Sequence, residues 1–374
     1  MSLIRLNTRS LPDNAITTAK VNSDAITNAK IADDAIQTEN VNSSVNLGRR
    51  NLLINGNFDV WQRATSFTDV AGIWKYGHAD RWNGHNDGAD AGTYSQSTVV
   101  PNAGSNYSML LTGASSVTNT NFSQRIESAD LKGIREKDSF TLSGYVRSAT
   151  AGKVINGHAL CPTATDNYAS YSQHNGVMSS VTISGNGGTS TSQITLTDAN
   201  TWSSFTMTKT SATSLTNFDK GYALFLAING QSSSSHQVYL SQLQVEAGTT
   251  ATPFEQRTYA EELALCKRYY TQIQGGSDAF TFPGKGQGST TVDGVFPLAV
   301  PLRASPTMNS IASRFFTDSG FSSATTTPTA NQFVANNDVL AINIGSYSGG
   351  ASFTNNEVGV WGVQAGTLTI DAEL

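Results

Sequence analysis

Between residues 51 and 257 the chain is cut every few positions by Gly, Asn, Ser or Pro, and the stretches between the cuts alternate apolar with polar side chains. The clearest are "SFTLSGYVRSA" (139–149), "VTISGNGG" (181–188), "TSQITLTDANTWSSFTMTKT" (191–210) and "KGYALFLAI" (220–228). A period of two is that of a strand with one buried face. Short strands with turn signals every 8 to 12 residues specify an antiparallel sandwich or jelly roll. Composition points the same way. Charged residues make up 14 % of the chain, against about 25 % in an average soluble domain, which leaves too few for the outer faces of amphipathic helices. The 33 glycines suit turns, and 16 Phe, 12 Tyr and 5 Trp are enough to fill cores.

Ahead of this block, residues 11–40 repeat nearly the same ten residues three times, with Leu11, Val21 and Ile31 opening the units and Ile16, Ile26 and Ile36 at their centres. Ten residues return a helical face about 80° out of register each time, whereas a strand period of two divides ten evenly. The repeat therefore reads as short β-elements bearing an apolar stripe. Three such units cannot enclose a core alone. Buried against the same stripe in neighbouring chains, these six residues become trimerisation contacts. The alternative is a low-complexity arm that orders on docking.

After the large block, "TYAEELALCKRYYTQI" (258–273) is the one convincing helix: Thr258 with Glu261 forms a capping box, and Tyr259, Leu263, Cys266, Tyr270 and Ile273 make a heptad-like seam. The remainder alternates again, and Pro297, Pro301 and Pro306 confine strands there to edges or short pieces. The chain ends on a strand-like segment, so its last residues are expected to be tied into the fold. The expected fold class is mainly β: an N-terminal decapeptide-repeat arm (1–50), a central antiparallel jelly-roll sandwich (51–257), one short connecting helix (258–274) and a small C-terminal β-sandwich (275–374).

A net charge of −5 without a Lys/Arg cluster gives phosphate-backbone binding little support, so no nucleic-acid partner is expected. No run of 18 apolar residues marks a membrane span, and the start lacks the apolar core of a signal peptide. Cys161 and Cys266, 105 residues apart, are no disulfide scaffold.

Several stretches resemble phage tail fibre proteins. "NLLINGNFDVWQR…HADRW" is similar to the start of their carbohydrate-binding-module-like jelly rolls, and "LSQLQVEAGTTATPFEQRTYAEELALCKRYY" to the block that closes those domains. "FPLAVPLRASPTM" resembles a segment of their C-terminal tip domains, and the decapeptides resemble the repeats that precede such jelly rolls. The resemblance implies a homotrimeric virion fibre or appendage that touches the host surface at glycans, joined to other virion proteins by its N-terminal arm. A particle assembled in the host cytoplasm and released by lysis also fits a chain without a secretion signal. The alternatives are a purely structural capsid decoration or tail adaptor, and a polysaccharide depolymerase. Related jelly rolls hold a structural calcium with acidic groups on the first and last strands; here Asp59 is present, but Ser241 stands where an Asp is expected.

For binding, "CPTATDNYASYSQHN" (161–175) offers Tyr168, Tyr171 and His174, whose rings and polar tips suit a sugar. The plainer reading is a surface loop whose tyrosines lean on the sandwich. Trp61, Trp82 and Trp202 lie in strand-like alternation and are expected in the core. His78, Asp80, His85, Asp87 and Asp90 form the densest set of metal-ligand types. Because Asp80-Arg81-Trp82 reads as the start of a strand, no metal and no cofactor are assigned. Glycoside cleavage needs two carboxylates across a cleft. Asp80 with Asp59, or Glu127 with Asp130, are the available pairs, but nothing in their spacing favours either, and the chain is expected not to be an enzyme.

Overall fold

The computed structural model describes residues 49–69, 74–171, 176–177, 180–184, 188–189, 193–275, 280–287, 290–309, 311–317, 320–326, 329–333, 339–344, 348–350, 356 and 358–373. The decapeptide repeat, with Leu11, Ile16, Val21, Ile26, Ile31 and Ile36, lies outside the described residues. Residues 50–374 form one compact unit.

Sixteen strands build the central block: β1 (Ser66–Thr68), β2 (Asn83–Gly88), β3 (Thr93–Ser97), β4 (Ser108–Thr112), β5 (Val117–Ile126), β6 (Ser139–Ser148), β7 (Lys153–Leu160), β8 (Pro162–Ala164), β9 (Asn167–Tyr171), β10 (Gly176–Val177), β11 (Ser180–Ile183), β12 (Gly188–Thr189), β13 (Gln193–Leu196), β14 (Ser203–Thr210), β15 (Tyr222–Asn229) and β16 (Gln237–Ala247). β8 and β9 pair with each other in a two-stranded sheet, and the other fourteen pair antiparallel into two larger sheets. The first runs β1-β3-β4-β16-β6-β14-β11, and the second runs β12-β13-β7-β15-β5-β2 with β10 added on β7. This is the expected jelly-roll sandwich.

Alternation decides which side chains go between the sheets. Phe140, Leu142 and Val146 of β6 and Leu224, Leu226 and Ile228 of β15 point inward and are buried. Trp82 stacks on Phe122 at 4.5 Å with an interplanar angle of 6°. Trp82 is thus a core residue, as expected, and Trp61 packs against the core while its indole N–H donates to the Phe58 carbonyl at 2.6 Å. Trp202 is only half-buried and meets Tyr239 edge-on at 6.3 Å, so it is not a core residue of the sandwich.

The two sequence blocks that frame the central segment meet in space. Leu52 donates its backbone N–H to Val245, Leu243 donates to Gly56, and the Asn51 carboxamide donates to Leu243 while accepting from Val245. The amides of Arg50 and Asn51 both donate to the Glu255 carboxylate. Gly56 is required by close approach, since a Cβ there would lie 2.1 Å from the Leu243 carbonyl oxygen.

Two short helices occur among the described residues: α1 (Lys132–Lys137), which the sequence reading did not assign, and α2 (Tyr259–Lys267). The Thr258–Glu261 capping box forms as expected. The helix stops six residues earlier than its heptad pattern suggests, because Tyr270–Gln274 becomes β17 and pairs with the chain's last strand. Of the proposed seam within α2, Cys266 is buried but Tyr259 is 60 % exposed. β-favouring Tyr, Thr and Ile side chains and a waiting edge outweigh the helical pattern there.

Ten more strands follow: β18 (Phe280–Gln287), β19 (Thr291–Pro297), β20 (Thr307–Met308), β21 (Ile311–Thr317), β22 (Gly320–Thr326), β23 (Thr329–Phe333), β24 (Val339–Ile344), β25 (Ser348–Gly350), β26 (Val358–Ala365) and β27 (Thr367–Asp371). A three-stranded sheet, β17-β27-β20, and an eight-stranded sheet share a core of Val292, Phe315, Trp361, Val363, Leu368 and Ile370. Pro297 ends β19 and Pro306 immediately precedes β20, as proline's missing N–H requires.

Candidate functional site

The outer face of the second sheet is assembled by register. His85 of β2 pairs with Asn121 of β5, Asn121 with Ala227 of β15, and Ala227 with Asn156 of β7. One row along, Asp87 faces Asn119, and Asn119 faces Asn229. In the other direction Ser123 faces Phe225, and Phe225 faces His158. The intervening residues Thr120, Phe122, Leu224, Leu226 and Ile155 are buried beneath. A flat grid of amides and imidazoles therefore sits on a rigid apolar underside.

Trp74 closes one side of this grid. Its ring stacks on His85 at 5.1 Å and 25°, and meets Phe225 edge-on at 5.5 Å. Together these residues line a cavity of about 540 Å³. Among the described residues Asp87 is its one carboxylate, and no Lys or Arg lines it. The Asp87 carboxylate accepts from the Asn119 amide at 3.1 Å and lies 3.2 Å from His85 Nδ1, which is also 3.2 Å from the Asn121 amide nitrogen. The Asn156 side-chain amide donates to the Asn229 side-chain Oδ1 at 3.2 Å. These bonds fix where donors and acceptors point.

The grid is pinned from below. The Tyr94 hydroxyl donates to the Asn121 carbonyl at 2.8 Å and accepts from the His85 amide at 2.9 Å. Gly84 lets that ring pass: a Cβ there would lie 2.4 Å from Tyr94 Cζ. His78 stacks on Tyr94 at 4.7 Å, and burial pushes its pKa down to about 3, so the imidazole beneath the site is uncharged at neutral pH.

The five candidate metal ligands part company. His78 and Asp80 are in the core, His85 and Asp87 face the cleft, and Asp90 accepts from the backbone N–H of Ser116 in a turn. Asp59 accepts from the amides of Asn57 and Asn106, while Ser241 pairs with the Ser105 hydroxyl, so the implied calcium ligands do not fit a cation. Among the described residues no group of three or more His, Cys, Asp or Glu could hold a metal ion. Of the carboxylate pairs, Asp80 is wholly buried, and Glu127 is held by Arg268 at 3.1 Å and by the Tyr269 hydroxyl.

Of the residues proposed from sequence for glycan contact, Tyr168 is a core residue. It is 2 % exposed, packs with Leu160, Ala223, Phe225 and Tyr269, and donates its hydroxyl to the Ile126 carbonyl at 2.7 Å. It cannot offer a face to a sugar. Tyr171 pairs with Pro162 in the β8–β9 hairpin, and His174 lies outside the described residues. Sequence reading missed Trp74, Asn121, Asn156 and His158. The usable signal was amides and imidazoles at alternate positions of three strand-like segments, "TNTNFSQR" (118–125), "VINGHAL" (154–160) and "NGHND" (83–87).

No family model and no curated protein matches the chain. Among solved structures, a putative sugar binding protein from Bacteroides thetaiotaomicron aligns over 53 % of this chain and all of its own, at 16 % identity and a TM-score of 0.33. The enzymatically active domain of bacteriophage CBA120 tailspike protein 4 aligns over 52 % of this chain and 21 % of its own, at 13 % identity and a TM-score of 0.30. TmCBM61, solved with beta-1,4-galactotriose, aligns over 53 % of this chain and 99 % of its own, at 10 % identity and a TM-score of 0.29. All three scores lie below 0.5, so the functional reading rests on the residues of the cleft itself.

Proposed function

We propose that the protein is a glycan-binding, non-enzymatic appendage of a phage particle, a trimeric tail fibre in which the decapeptide arm joins three chains and attaches them to other virion proteins. The observation that carries the binding function is the Trp74 cleft. An aromatic ring offers an apolar face to the C–H groups of a pyranose, and fixed amides beside it meet the ring hydroxyls. Apart from Trp74, the lining residues stand on β2, β5, β7 and β15, which keeps their donors and acceptors oriented before a ligand arrives. Location in the virion and contact with a host-surface glycan come from the resemblance of the repeat and of the framing blocks to phage fibres.

A glycan array probed with the full chain is the direct test. The expected result is retention of a limited set of saccharides, with Trp74→Ala weakening that retention at least tenfold, about 1.4 kcal/mol. A Trp74→Ala protein that binds as well as the parent sinks the cleft, and an array without any hit favours a purely structural decoration or adaptor. Light scattering of the full chain is expected to give three times the chain mass of 39.6 kDa; a monomer overturns the fibre. Shortened polysaccharide after incubation would overturn the non-enzymatic reading.

A further inference from the structure

A second cavity, of about 530 Å³, lies on the opposite side of the sandwich, over the outer face of β6 and β14 and under the 251–256 segment. Its floor is another product of register. Ser143 pairs with Thr206 and Tyr145 with Ser204, which puts four hydroxyl-bearing residues side by side on the face away from the core. The hydroxyls of Ser143, Tyr145 and Thr206 have no hydrogen-bond partner among the described residues. Phe254 stands in the wall, and no charged side chain lines the cavity among the described residues.

Gln242 completes it. The β16 pairing shifts between Ser241 and Gln244, and at this bulge Gln242 is held at φ 51°, a left-handed conformation costly for a side chain of this kind. The twist turns its carboxamide toward the 102–105 loop, where Nε2 donates to the Asn102 side-chain Oδ1 and to the Ser105 hydroxyl, both at 2.9 Å. With both N–H groups engaged, Oε1 is left as an oriented acceptor at the cavity. A strained residue whose amide is clamped in one orientation thus stands beside three hydroxyls that have no partner among the described residues.

We propose that this cavity is a second saccharide-binding site, selective for uncharged sugar units. Hydroxyls that both donate and accept, one fixed carbonyl acceptor and two aromatic rings, Tyr145 and Phe254, suit the alternating polar and apolar faces of a neutral pyranose. With no cation in the lining, nothing there compensates the desolvation of a uronate or sulfate. The site shares no residue with the Trp74 cleft and stands or falls without it. Sugar chains held on both sheets would let one protein span two strands of a surface polysaccharide.

The test uses the full chain carrying Trp74→Ala, which removes the first cleft's ring. Cellohexaose, laminarihexaose and mannohexaose are titrated against it, with hexagalacturonate as the charged control, and amide hydrogen exchange is read at 143–145, 204–206 and 252–256. At least one neutral hexaose is expected to protect these segments, and the uronate to leave them unchanged. Gln242→Gly relieves the left-handed strain, which offsets part of the loss of its two hydrogen bonds; it is expected to weaken binding about tenfold. Tyr145→Phe, which loses one oxygen, is expected to weaken it about three- to tenfold, the range of a single hydrogen bond. Protection by no neutral hexaose, equal protection by the uronate, or unchanged affinity in both variants overturns the proposal.

Discussion

Asp80 is the residue whose environment departs furthest from what its position in "HADRW" suggests. Its carboxylate is buried, accepts from the Gln62 backbone and side-chain amides at 3.2 and 2.5 Å, and lies 3.6 Å from Arg63. Burial nevertheless pushes its pKa up to about 7, against the opposing pull of Arg63 and Gln62. A folded-state pKa above the unfolded value of 3.8 means that the folded protein holds this proton more tightly. The stability this group contributes is full below the unfolded pKa and is lost as pH rises through 7. The stability of the parent relative to Asp80→Asn is therefore expected to fall between pH 4 and pH 7 and to level off above that. Chemical denaturation of both proteins across this window checks it; a difference that is flat or rises with pH refutes the assignment. From sequence, Asp80 was one of five candidate ligands in a row, and nothing in a linear string shows that it turns inward while Asp87 turns out.

At the scale of elements, the capping box of α2 is a local device and was legible as such. Thr258 Oγ1 accepts from the Glu261 amide at 3.3 Å, and the Glu261 carboxylate accepts from the Thr258 amide at 2.9 Å. Nine residues make a marginal helix by themselves, so Thr258→Ala is expected to cost about 1 kcal/mol and Thr258→Ser to restore most of it. Equal thermal midpoints for the parent and Thr258→Ala would show that packing of the helix, not its cap, sets its stability. The strands were legible for the same reason: a period of two is written in each segment separately, and "SFTLSGYVRSA" needs no partner to be recognised. The end of α2 was not. Tyr270 and Ile273 fit the heptad, and only β27, about a hundred residues later, recruits them into a sheet. The cleft was hidden by the same distance. Asn121, Asn156 and Ala227 are unremarkable in their own strands and become a row only through the pairing of β5, β15 and β7. The tyrosine-rich stretch attracted notice because its aromatics are close in sequence, whereas Tyr168 turned into the core.

For residues 50–374 as a whole, the tail of the chain is built into the jelly roll through buried charge. Arg81 is 1 % exposed, sits at φ 71°, lies 3.4 Å from the Tyr269 ring centroid, donates to the Arg125 carbonyl at 2.7 Å and pairs with Glu373. Arg63 reaches both Asp371 at 3.2 Å and Glu373 at 3.3 Å, and its guanidinium covers Tyr270 at 3.7 Å. Ala372 donates to the Tyr269 carbonyl at 2.7 Å. The residues after β27 thus tie the three-stranded sheet to the first turn after Val60. The two arginines share one carboxylate; removing it leaves buried Arg81 with no carboxylate partner among the described residues and takes one of three from Arg63. Glu373→Gln is expected to destabilise the protein by about 3–5 kcal/mol, the cost of an uncompensated buried charge. Replacing the pair together, Arg81→Met with Glu373→Leu, is expected to recover part of that loss, because the remaining penalty falls on Arg63 with Asp80 and Asp371 still beside it. Urea unfolding of the single and double variants measures both. A loss below about 1 kcal/mol for Glu373→Gln, the size of an exposed pair, would mean that the tail is held by the β17–β27 ladder alone and that the charges are incidental to it.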